Sequence, residues 1–172
     1  EHTSHLILIG SPPSVIPPKE SEAFWQSDAS EARKLADKRN LERITDEVLK
    51  KAPPGQAWKL LFVRNGAHYW YDPSYDSSWM LEGIALNMNL MPRVAGLFRD
   101  YDFGKRAPRA TTPIFLALGR YDYLLPHHMW DGRKDSFPNL SYNLFEKSGH
   151  YPMFEEPALF EKKLIEWMKR NK

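Results

Sequence analysis

The sequence contains no cysteine, which removes disulfide scaffolds, thiolate metal sites and cysteine nucleophiles together. It leaves the redox compartment open, because a chain without thiols is indifferent to it. Long apolar runs are also missing. The longest, such as Ile114 to Leu118, fall far short of the ~20 residues that cross a bilayer. Nor is there an excess of one charge: Lys and Arg number 24 against 22 Asp and Glu, for a net charge of +2. The clustered basic surplus of a nucleic-acid binder is therefore absent. The opening Glu1-His2-Thr3-Ser4-His5 lacks the basic and apolar regions of a signal peptide. A cytoplasmic protein that partners neither membrane nor nucleic acid is the expectation.

What is abundant is aromatic side chain. Six Trp, eight Tyr and nine Phe among 172 residues point to a lined pocket or a broad interface as well as a core. A hydrophobic fraction of 42% and a charged fraction of 27% place the chain among folded proteins. Its length suits one ordinary domain, or a core with a small appendage. The first residue is not Met, and the opening reads as the end of a loop feeding a strand. A piece of a longer polypeptide is expected.

Along the chain, Leu6 to Ile9 followed by Gly10-Ser11-Pro12-Pro13 predicts a short, fully buried strand stopped by turn residues. Ser14 to Lys19 should be an extended connector. Ser27 to Lys51 reads as mostly helical, capped by Ser27 or Asp28, with a second start at Thr45-Asp46-Glu47. Gln56 to Val63, Ser77 to Asn87 and Asn89 to Phe98 are further helices, the last with Pro92 near its start, where proline is tolerated. His68 to Pro73 is dense in rings and turn formers. The tail changes character. Pro113 to Leu118 is the continuous apolar run of a parallel strand covered on both faces. His127 to Asp135 can hold a short helix, Leu140 to Phe145 is the next strand, and Pro157 opens a closing helix. Phe160, Leu164, Trp167 and Met168 form one apolar face of that helix. Strand, crossover, strand and helix make an α/β pattern with a parallel sheet.

In open α/β sheets the working residues lie just beyond the carboxyl ends of strands. Two such ends carry ionisable groups here, Asp122 after one strand and His150 after the next. A carboxylate beside an imidazole fixes the ring tautomer and stabilises the imidazolium when the other nitrogen takes a proton. Gly149 permits a tight backbone that can swing His150 over the sheet.

The run Pro113 to Asp122, then Ser148-Gly149-His150 and a closing helix, resembles the C-terminal part of an α/β-hydrolase. The resemblance implies Asp122 as triad acid and His150 as triad base. It makes residues 1–14 a core strand, 15–110 a helical cap insertion, and 111–172 the last two core strands with their helix. Within the family, Gly119-Arg120-Tyr121-Asp122 and Trp79-Met80-Leu81-Glu82-Gly83 resemble proline iminopeptidases, which implies Glu82 as the anchor for a free amino group. Leu81 stands where that family has a second Trp. A carboxylate in a ring-lined cavity would pair with an ammonium, with Tyr69, Trp70, Tyr71 and Trp79 as cation–π walls.

Two elements of the family pattern are missing, the upstream oxyanion-hole segment and the nucleophile elbow. No two of the nine glycines stand four apart, so the chain has no Gly-x-Ser-x-Gly nucleophile elbow. Ser11 is the only serine beside a strand end, but two prolines follow it and no helix begins there. The chain alone should be silent, needing the other half of the hydrolase as partner. That whole would cleave an ester or amide, in a small-molecule or peptide substrate, without metal or organic cofactor. An Asp nucleophile in the other half would instead make an epoxide hydrolase or dehalogenase. A different class of reading is a non-catalytic module, binding or forming homo-oligomers through an exposed strand edge. His2, His5 and the adjacent His127 and His128 read as structural or solvent-facing rather than metal ligands. Arg33, Lys34, Lys38, Arg39 and Arg43 read as a solvated helix face. Met88 and Met91 read as core or pocket lining.

Overall fold

The computed structural model describes residues 3–15, 17–105 and 111–171. Glu1, His2, Ile16, Lys172 and the expected boundary at Ala110 lie outside them. Three parallel strands, β1 (Leu6–Ile9), β2 (Ile114–Gly119) and β3 (Leu140–Phe145), form one sheet in the order β1-β2-β3. Leu6 aligns with Ile114, and Ile114 with Leu140. Strand β2 is central and buried along its whole length, as its unbroken apolar run requires.

Alternation along β2 divides the core in two. Ile114, Leu116 and Leu118 face Trp130 and Phe137, whereas Phe115 and Ala117 face Phe145 and Trp167. The second layer is closed by the terminal helix α8 (Pro157–Arg170), which packs Phe160, Leu164 and Trp167 on the sheet. Met168, expected on the same face, is instead 47% exposed, because the apolar stripe narrows toward the last turn. Strand β1 also departs from expectation: Ile7 is 42% exposed rather than buried. Among the described residues β1 pairs on one side only.

Between β1 and β2 the chain is helical. Helices α1 (Pro18–Asp28), α2 (Glu31–Arg43), α3 (Asp46–Lys51), α4 (Pro54–Arg64), the single turn α5 (Gly66–Tyr69) and α6 (Met91–Phe98) follow in order. The expected connector over Ser14 to Lys19 is shorter than predicted, since the helix begins at Pro18, whose fixed φ suits a first helical position. The stretch expected to start at Ser27 breaks at Ala29, and Ser30 is the cap, its hydroxyl accepting from the Arg33 N–H at 3.2 Å. Thr45 caps α3 in the same way, as the sequence indicated. The helix expected over Ser77 to Asn87 is reduced to a 3-10 turn at Ser78–Leu81. Gly83 follows with φ +70°, a conformation that ends a helix. The expected helix after His127 is likewise a 3-10 turn, His127–Trp130. No helix of the described residues is long and apolar enough to cross a membrane.

Candidate active site

Strand β2 ends at Gly119, where an added Cβ would collide with the carbonyl oxygen of Gly149. That approach brings the loop after β2 against the loop after β3, and the Tyr121 N–H donates to the Ser148 carbonyl at 2.9 Å. Asp122 follows, fully buried. Its Oδ1 accepts from the N–H groups of Leu124 at 3.0 Å and Leu125 at 2.9 Å, the local bonding that Asp favours in turns. Its Oδ2 stands 2.7 Å from His150 Nδ1. The carboxylate is thus held at one oxygen by the backbone and presents the other to the ring. With Nδ1 engaged, Nε2 is the nitrogen left to exchange a proton with a reacting group.

His150 is set by its neighbours. Its N–H donates to the Tyr69 carbonyl at 2.7 Å. Glu156 Oε2 accepts from the Lys147 N–H and the Ser148 hydroxyl, tying down the approach to the loop. Gly149 does not adopt a positive φ. The need for glycine there is steric, since a Cβ would strike the backbone of Tyr69. Gly10, at the end of β1, has φ +53° and lies under the ring: a Cβ would sit 2.8 Å from both Cε1 and Nδ1 of His150. Gly10→Ala should therefore displace the imidazole, in addition to roughly 1–2 kcal/mol of left-handed strain. The expected result is loss of the hydrogen-bonded ring-proton resonance of His150, with the far-ultraviolet circular dichroism retained.

The other predicted residues bring no side-chain polar group to this pair. Ser11 turns its hydroxyl to the Ile9 carbonyl at 3.1 Å, not to the ring. Tyr69 is buried, its ring centroid 6.4 Å from that of His150, and burial raises its pKa. Trp70 is buried and stacked on Tyr151 at 4.9 Å. Trp79 is exposed and donates its Nε1–H to the Tyr75 hydroxyl. Glu82 opens instead on a cavity of about 260 Å³ lined by Gln56, Lys59, Leu60, Val63, Ser78 and Leu81. That lining mixes the aliphatic Leu60, Val63 and Leu81 with the polar Gln56, Lys59 and Ser78, and Tyr69, Trp70, Tyr71 and Trp79 are not part of it. His127 and His128 flank the Phe24 ring, and burial lowers the His127 pKa.

Arg33 requires a larger correction. It is 4% exposed, not part of a solvated face. Its Nη1 donates to the carbonyls of Ala67 at 2.6 Å and Trp70 at 2.8 Å, and its Nη2 to that of Tyr71 at 2.6 Å. The guanidinium therefore satisfies carbonyls at the C-terminal end of α5, which the helix itself leaves unpaired. It also lies 5.2 Å from the ring centres of Tyr121 and Tyr123. An ion pair joins α1 to the loop after β2. Arg120 forms a two-pronged contact with Asp28 at 2.9 and 3.1 Å, and the Tyr123 hydroxyl donates to Asp28 at 2.8 Å. The Arg120 hydrogen bond lowers the Asp28 pKa, against the upward effect of burial.

No family model matches the sequence. The AB hydrolase superfamily protein YclE of Bacillus subtilis (strain 168) is 30% identical over 152 residues, 87% of this chain and 53% of that protein. Among solved structures, MGS-M2, an α/β-hydrolase enzyme from a Medee basin deep-sea metagenome library, superposes with a TM-score of 0.61 at 18% identity. The match covers 96% of this chain and 56% of MGS-M2. The putative non-heme bromoperoxidase BpoC of Mycobacterium tuberculosis H37Rv gives 0.62 at 15% identity, over 98% of this chain and 59% of its own.

The fold is that of the C-terminal portion of an α/β-hydrolase. The similarity to YclE runs over most of this chain, which spans about half the length of that curated relative. In α/β-hydrolase terms, Asp122 and His150 stand where the sheet delivers loops from neighbouring parallel strands. Arg33 and Gly10 are the structurally important residues that sequence reasoning missed. Only Gly10 carried a local signal, as a glycine closing a strand.

Proposed function

We propose that this chain contributes the acid and the base of a hydrolase triad whose nucleophile comes from polypeptide outside these 172 residues. The observation that carries the reading is the 2.7 Å contact between Asp122 Oδ2 and His150 Nδ1, with Oδ1 held by two backbone N–H groups. In the complete hydrolase, His150 Nε2 takes the proton of a serine hydroxyl as its oxygen attacks an ester or amide carbonyl. It then returns that proton to the leaving group, and water repeats the cycle on the acyl-enzyme. Asp122 keeps the ring in the Nδ1–H tautomer and stabilises the imidazolium. Residues 15–110 act as a cap that sets substrate choice.

The exposed edge of β1, with Ile7 42% exposed, supports one other reading, an assembly module that pairs edge to edge. Complementation separates the two. Mixed with an N-terminal hydrolase half carrying the Gly-x-Ser-x-Gly element, the chain should hydrolyse a short-chain p-nitrophenyl ester, and His150→Ala should abolish the activity. Hydrolysis that survives His150→Ala, or no hydrolysis from a correctly assembled complex, would overturn the triad reading.

A further inference from the structure

Glu155 lies in the short helix α7 (Pro152–Glu155) just after His150, and no step of the chemistry uses it. Both of its oxygens are nevertheless committed. Oε1 accepts from the Tyr71 N–H at 2.6 Å, and Oε2 accepts from the Gly149 N–H at 2.7 Å. The segment that carries Tyr71, beginning in α5, meets both dyad loops again. The His150 N–H donates to the Tyr69 carbonyl at 2.7 Å, and the Tyr123 N–H to the His68 carbonyl at 3.0 Å. The residue after the acid and the base itself are thus hung from one five-residue stretch, Ala67–Tyr71. Arg33 grips that stretch from behind through three carbonyls.

We propose that Glu155 is a positioning residue for His150: its carboxylate is the strut that locks the base-bearing loop to the Ala67–Tyr71 segment of the helical insertion. The physical reason is directional. An ionised carboxylate is the one side chain of this length that accepts at both ends, and here each end meets a backbone N–H. Gln has the same shape but accepts at one end only; its amide nitrogen would face an N–H, leaving one donor without a partner. The ring of His150 rests on Gly10, and its Nδ1 must stay within hydrogen-bond distance of Asp122. A small shift of Gly149 moves the ring directly, because the two residues are consecutive. Conversely, a displacement of the helical insertion is transmitted to the dyad through the same bonds.

This inference rests on the reading of Asp122 and His150 as a dyad, and nuclear magnetic resonance of the chain separates the two. The unmodified chain should show a His150 Nδ1–H proton protected from exchange with water. Glu155→Gln should keep the fold but raise that exchange at least about tenfold. Trp167→Phe, which loosens the core beneath the sheet without touching either loop, controls for general destabilisation and should leave the exchange within about twofold. In the complemented hydrolase, Glu155→Gln should lower kcat about tenfold with KM little changed, and Glu155→Asp, which keeps both acceptors, should recover part of the loss. A protected proton unaffected by Glu155→Gln, or an equal response from Trp167→Phe, would overturn the strut while leaving the dyad standing. Absence of the protected proton from the unmodified chain would overturn both.

Discussion

Asp122→Asn should leave the fold intact and lower kcat of the complemented hydrolase by on the order of 10³ to 10⁴. The amide keeps an acceptor oxygen for the N–H groups of Leu124 and Leu125, which organise the turn. Its nitrogen then faces His150 Nδ1, 2.7 Å away in the unmodified chain, and donates to it. The ring must adopt the Nε2–H tautomer, so the nitrogen meant to accept a proton already carries one. Nitrogen chemical shifts of His150 in the isolated chain would report that switch directly, without any substrate. The unmodified chain should show Nδ1 protonated and the variant Nε2 protonated. A variant that keeps the Nδ1–H form, with unchanged activity after complementation, would refute the assigned roles.

Arg33→Ala should be the most destabilising single change outside the sheet, by about 3–5 kcal/mol. It strips partners from three carbonyls at once, those of Ala67, Trp70 and Tyr71. It also opens a void beside Tyr121 and Tyr123, over which the guanidinium lies. Thermal unfolding should shift downward by roughly 10 °C for a chain of this size. Arg33→Lys should recover little, because one ammonium on a flexible stem cannot reach three carbonyls set out for a planar fork. Burial lowers the Arg33 pKa, yet guanidinium remains charged across the working range, so the effect should not vary between about pH 5 and pH 8. A loss below about 1 kcal/mol would show that water replaces the side chain at the carbonyls.

Strand β2 and helix α8 were legible because their burial is written in local pattern. A run apolar at every position marks a strand covered on both faces, and Phe160, Leu164 and Trp167 recur at helical spacing. Asp122 and His150 were legible for a related reason: each stands at the exit of a recognisable parallel strand. Ser77 to Asn87 misled because its composition permits a helix, and the positive φ of Gly83 could not be foreseen from apolar spacing. Arg33 misled because charged residues interleaved along a helix look alike whether one of them is buried or not.

Composition and periodicity were enough to establish an α/β chain with a central buried strand and two ionisable groups carried to neighbouring strand ends, since each is written in a short run of consecutive residues. The long-range pairings were invisible until the chain was folded: Gly10 under the ring of His150, Arg33 on the carbonyls of Ala67 to Tyr71, and Glu155 between Tyr71 and Gly149. Those contacts join residues up to 140 positions apart, and their partners are mostly backbone groups, which every residue possesses and no sequence pattern distinguishes.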